Sequence, residues 1–143
     1  MLSRTRRWPA LAAAAVLIAV LGASCTKNND AFQAATFIND SRAARGIASL
    51  QFDDRLIDKA QAWAEAMAAA GSVSHSSLGD GVGSGWNRLS ENVGVASSVA
   101  EAHRLFMASP SHRDAIMSGS YTKFGTGVAY ANGRYYVVQE FGA

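Results

Sequence analysis

The chain has 143 residues, 49% of them hydrophobic and 17% charged; this is one domain's length with a globular composition, and it excludes a disordered or low-complexity protein. Of its 13 Lys and Arg, Arg4, Arg6 and Arg7 precede an apolar run from Pro9 to Ala23, the order of an export signal, and the run is shorter than the roughly 17 to 25 residues that cross a bilayer. Without residues 1–24 the chain keeps 10 basic and 11 acidic residues, a net charge of −1, so no basic surface remains to argue for nucleic acid, which is excluded as a partner.

Cys25 is the only cysteine, so the exported domain has no internal disulfide and rests on its core. It follows Leu21-Gly22-Ala23-Ser24, which resembles a bacterial lipobox with the large aliphatic residue one place early. The expectation is a signal peptide over 1–24, acylation at Cys25, a polar tether over 25–30 and a domain over 31–143. The location is then the cell envelope or the exterior, with membrane contact through the lipidated terminus.

Asp30 is the expected N-cap of a helix from Ala31 to Arg45, stopped by Gly46. A second helix is predicted from Asp53 or Asp54, because Leu56, Ala60, Trp63, Ala64 and Met67 recur at helical spacing and Gly71 follows; Trp63 and Met67 read as core. From Gly71 to Ser90 glycine and serine dominate, the pattern of a long loop of the kind that carries function. Its Gly81-x-Gly83 pair has no strand before it and no helix after it, which rules out a phosphate loop. Gly-x-Ser-x-Gly and His-Glu-x-x-His are absent as well.

Ser98-Val99-Ala100-Glu101 reads as a capping box opening a third helix. A fourth starts at Pro110 with Ser109 as its side-chain cap, and it places His112 near a helix N-terminus that favours a neutral imidazole. Phe124 to Tyr130 and Tyr135 to Phe141 alternate around Asn132-Gly133. That is a type I′ hairpin with Ala131 opposite Arg134 and Val128 opposite Val137. Helices plus a hairpin in one small domain make the fold class α+β.

The residues able to carry chemistry are His75, Glu91 and His112. Each has a plain alternative: His75 as a solvated loop residue, Glu91 as a cap or a partner of Arg88, and His103 as an ordinary helical histidine. Asn39 and Arg42 are expected to satisfy loop backbone groups, and Gly125 and Gly127 to let a neighbouring element approach.

A series of ordered motifs adds to this reading: Phe37-Ile38-Asn39-x-x-Arg42, Leu50-x-Phe52-Asp53-x-x-Leu56, Ala60-Gln61-x-Trp63-Ala64, His75-Ser76, Glu91-Asn92-Val93-Gly94, Ser109-Pro110-x-His112-Arg113 and Val138-Gln139-x-Phe141-Gly142. Together they resemble the CAP superfamily of cysteine-rich secretory, antigen 5 and pathogenesis-related proteins, in its short bacterial branch. The resemblance implies a three-layer α-β-α sandwich with a central antiparallel sheet and a cleft where His75, Glu91 and His112 converge. Animal and plant members carry a second glutamate where this chain has Ser109. Two imidazoles and a carboxylate suit a divalent cation such as zinc, with His75, His112 and Glu91 as ligands. Three functions follow as expectations. One is a binding module for a lipid, sterol, glycan or metal; another is a metal-dependent hydrolase; the third is a domain docking an envelope protein beside a vestigial cleft. No activated nucleophile is legible, which favours binding over turnover.

Overall fold

The computed structural model describes residues 21–143, with side chains from Asn29 onward. Most of the export signal and the thiol of Cys25 lie outside the described residues. The elements in order are α1 (Leu21–Ala43), β1 (Gln51–Phe52), α2 (Asp54–Ala70), β2 (Leu89–Ala96), α3 (Val99–Ala108), α4 (Pro110–Met117), β3 (Lys123–Ala131) and β4 (Arg134–Gly142).

Local chemistry sets most boundaries. Asp53 caps α2 by accepting from the Arg55 N–H, and Gly71, at φ 66°, ends it in the left-handed conformation. Ser98 caps α3 by accepting from the Glu101 N–H, while Glu101 reaches back to the Ser97 N–H at 2.9 Å. Two expectations fail. The first helix runs straight through the supposed tether, because nothing between Ala23 and Arg45 is a glycine or proline, and Asp30 lies inside it. Ser109 gives α4 no side-chain cap, since its hydroxyl is engaged elsewhere.

The four strands form one sheet in the order β1-β3-β4-β2, with β2 at an edge. The β3–β4 hairpin has the expected register, Ala131 against Arg134 and Val128 against Val137, and both turn residues have positive φ. The sheet is not wholly antiparallel, because β1 lies parallel to β3. Sequence reading also missed β2, whose run Leu89-Ser-Glu-Asn-Val-Gly-Val-Ala is too polar at its start to look like a strand.

Each face of the sheet is covered, which makes the three layers. On one side α1, α3 and α4 bring Ile38, Phe106 and Ile116 against Phe124, Val128, Val137 and Phe141. On the other, α2 brings Ala60, Ala64 and Met67 against Val93, Ala129, Tyr136 and Val138. The second contact is backbone-close: a Cβ on Gly125 or Gly127 would fall 2.2 Å from the main chain of Leu56 or Ala60. Asn39 exchanges two hydrogen bonds with the Leu50 backbone. Arg42, 1% exposed, donates to the carbonyls of Ala48, Ile116 and Ser118, each at 2.8 Å. Both do the structural work expected of them.

Candidate functional site

The site is built around the edge strand β2. Consecutive strand residues point to opposite faces, so Glu91 enters the α2 layer and Asn92 the layer of α3 and α4. Asn92 donates to the main-chain carbonyl of His112 at 3.1 Å and to Oε1 of Gln139 at 3.0 Å. Glu91 holds the other histidine. The segments that carry the two histidines are therefore tied to opposite faces of one strand by adjacent residues.

Glu91 has a fully buried side chain, whereas that of His75 is 64% exposed. Oε1 of Glu91 accepts from His75 Nδ1 at 2.8 Å and from the Ser76 N–H at 2.9 Å, and Oε2 accepts from the Ser76 hydroxyl at 2.5 Å. Burial works against its charge, but the Ser76 hydroxyl and N–H, with Glu140 and His75, outweigh burial and hold the carboxyl below the usual range. The ionised carboxylate accepts the Nδ1 proton of His75, which fixes the orientation of the ring. The His75–Ser76 segment lines a hollow of about 530 Å³ with Leu89, Glu91 and Tyr121.

His112 uses Nδ1 differently, at 2.7 Å from the Ser109 hydroxyl. This pair explains the missing cap. Phe106 packs against the His112 ring, centroid to centroid 5.2 Å. Burial first, and the charge of His75 second, hold His112 below its ordinary pKa, so its ring is neutral at pH 7. Ser109 and His112 touch, but among the described residues no carboxylate is hydrogen-bonded to the ring, and the pair is not a catalytic triad.

The structure thus joins His75 to Glu91 directly and brings His112 within electrostatic reach, but it does not gather the three as metal ligands. Both oxygens of Glu91 are engaged inside the protein. Among the described residues no three His, Cys, Asp or Glu side chains are grouped to hold a metal ion. The zinc site expected of His75, Glu91 and His112 does not fit this donor set. Glu101 bonds Ser97 and pairs with Arg104, away from the cleft. His103, another uncertain histidine, joins α3 to α1 through Ser41 Oγ at 2.8 Å.

Sequence reading missed Glu140 and Lys59. Glu140 stands opposite Glu91 in the β2–β4 register. It is fully buried, and among the described residues neither of its oxygens makes a hydrogen bond of good geometry, the nearest polar groups being the Glu91 carboxylate and the Lys59 amine. Burial first, then the neighbouring Glu91 carboxylate, push its pKa up to about 9; Lys59, with Nζ 3.7 Å away, only partly offsets them. Glu140 is therefore a neutral acid at pH 7, a carboxylic acid beside a carboxylate. Lys59 donates to the carbonyls of Ser77 at 2.5 Å and Leu78 at 3.1 Å, pinning the loop that carries His75. A signal existed in the hairpin, since Tyr136, Val138 and Glu140 share one face. The glycines opposite them on β3, Gly125 among them, leave that face open to a neighbouring element, and α2 covers it.

The profile of the Cysteine-rich secretory protein family, CAP, matches residues 35–141. The chain belongs to the CAP family. Among solved structures the CAP domain superposes on an outer surface protein of Borrelia burgdorferi with TM-score 0.72 at 19% identity, covering 80% of this chain and 92% of that one. An extracellular SCP-domain protein of Bacillus anthracis gives TM-score 0.74 at 20% identity over 89% of this chain, but this chain spans only 44% of that protein. A cysteine-rich secretory protein of Staphylococcus aureus gives TM-score 0.65 at 18% identity, over 81% of this chain and 39% of that one. No curated protein sequence matches this CAP chain. At these identities the likeness establishes the α-β-α fold, shared with extracellular and outer-surface bacterial proteins. No helix among the described residues is long and apolar enough to cross a membrane.

Proposed function

We propose that this CAP domain is an exported binding module of the cell envelope, which captures a small ligand at the β2 edge beside His75 and does not turn it over. The observation behind this reading is the Glu91 anchor. A buried carboxylate with three bonds, all from His75 and Ser76, fixes the exposed imidazole and its loop before any ligand arrives, which lowers the ordering cost of binding. Catalysis lacks support at the same place: Ser76 gives its hydroxyl to Glu91, and Ser109 meets a histidine with no orienting acid. Export through residues 1–24 and acylation of Cys25 complete the proposal, and they would hold the module at a membrane surface.

The test is recovery. Purified protein is incubated with envelope extract, re-isolated and analysed by mass spectrometry beside His75→Ala. A small molecule retained by the wild type and lost from the variant is the expected result. Recovery of a cleaved product accumulating with time would replace the module with an enzyme. Labelling with a fatty acid, wild type against Cys25→Ala, tests the anchor separately.

A further inference from the structure

A second hollow of about 570 Å³ opens on the other side of His75, between α2 and the loop after it. Its size is that of a small-ligand site. We propose that this hollow is a saccharide subsite, with Trp63 as the platform for a sugar ring and Asp58 and Asp80 as acceptors for its hydroxyl or amino groups.

The walls are built before any ligand comes. The Trp63 indole N–H donates to the Ser74 carbonyl at 2.8 Å, which fixes the ring. Lys59 ties the loop to α2 from below, and Glu91 ties it to β2 through Ser76. The free charge of the lining is one-sided. Asp58 and Asp80 are exposed, line the hollow, and have no side-chain partner among the described residues. His75 Nδ1 is already taken by Glu91, and the Lys59 amine is occupied by carbonyl oxygens. Carboxylates accept and do not donate, so the fitting ligand supplies many donors together with an apolar face. A pyranose does both. A fatty acid or a phosphate would bring negative charge against two carboxylates and is disfavoured.

This inference rests on the binding-module reading, and the test separates them. The purified chain is titrated by calorimetry with the tetramer of N-acetylglucosamine and with the tetramer of glucosamine, the neutral and cationic forms of one sugar. Saturable binding of either is expected. It should weaken at least tenfold in the surface double variant Asp58→Asn/Asp80→Asn and in Trp63→Ala, with folding of each checked by circular dichroism, while His112→Ala leaves it unchanged. The saccharide inference is overturned by absence of binding to both tetramers, by binding that the double variant leaves intact, or by binding of pentalysine in place of the sugars. A ligand recovered from envelope extract when both tetramers fail would keep the module and remove only the saccharide. Sugar binding lost in His112→Ala but kept in the double variant would move the ligand to the cleft and remove the hollow.

Discussion

Replacing Glu140 by glutamine should stabilise the protein at neutral pH. The charged groups facing this carboxyl are Glu91 from β2 and Lys59 from α2, while β3 presents only Gly125. In the folded chain the group keeps its proton up to about pH 9, against an ordinary value of 4.5. Each unit of displacement is worth about 1.4 kcal/mol, so retaining a proton at pH 7 that the unfolded chain has released costs about 3 kcal/mol. Because the folded pKa is raised, this contribution to stability is fully present below about pH 4.5 and is lost progressively as the pH climbs towards 9. Between pH 5 and 8 the loss is about 4 kcal/mol. His103 and His112 act in the opposite sense across that window, since burial lowers both; they are common to both proteins, and the comparison cancels them. Urea unfolding followed by tryptophan fluorescence supplies the difference. Glu140→Gln should match the wild type near pH 5 and exceed it by about 3 to 4 kcal/mol at pH 8. A pH-independent difference, or a variant weaker by about 3 to 5 kcal/mol as when a buried ion pair is broken, would show that Glu140 is ionised against Lys59 and would refute the reasoning.

Arg42→Ala strands three carbonyls that the guanidinium now serves; a loss above about 3 kcal/mol is expected in urea, with no rescue by Arg42→Lys, whose single ammonium cannot reproduce the fork. Gly127→Ala drives a methyl into the Ala60 backbone, and a cost of about 3 kcal/mol or a failure to fold should show in thermal unfolding; an unchanged melting temperature would mean that α2 can retreat. Ser76→Ala removes the hydroxyl that does most to hold Glu91 ionised, so the Glu91 carboxyl resonance should titrate at higher pH and stability should fall by about 1 to 3 kcal/mol. Equimolar zinc should give no saturable heat, and a saturable heat abolished in both His75→Ala and His112→Ala would restore the three-donor site.

Much of this was legible in the chain itself. The caps at Asp53, Ser98 and Gly71, the Asn132-Gly133 hairpin with its register, and the structural roles of Asn39 and Arg42 follow from local chemistry, which a sequence displays directly. The pairing of His75 with Glu91 came from ordered motifs, and the structure supplies its physical form. What stayed hidden was non-local. Strand β2 has polar residues where it meets the cleft, so its alternation is broken by the residues that make the site. Glu140 was overlooked because a hairpin shows which residues share a face but not that a helix covers it. Ser109 misled for a related reason: a serine before proline is a sound cap by rule, but here His112 competes for its hydroxyl one turn along.

The central claim is a cleft that binds at the β2 edge with His75 held ready by Glu91. It is tested most directly by nitrogen NMR of the imidazole rings while fractionated envelope extract is added. The account predicts that Nδ1 of His75 carries the proton donated to Glu91 in the free protein, and that one fraction moves the ring resonances of His75 while those of His103 stay still. A His75 ring with no proton on Nδ1, or a bound fraction that leaves the His75 ring unmoved, would contradict it.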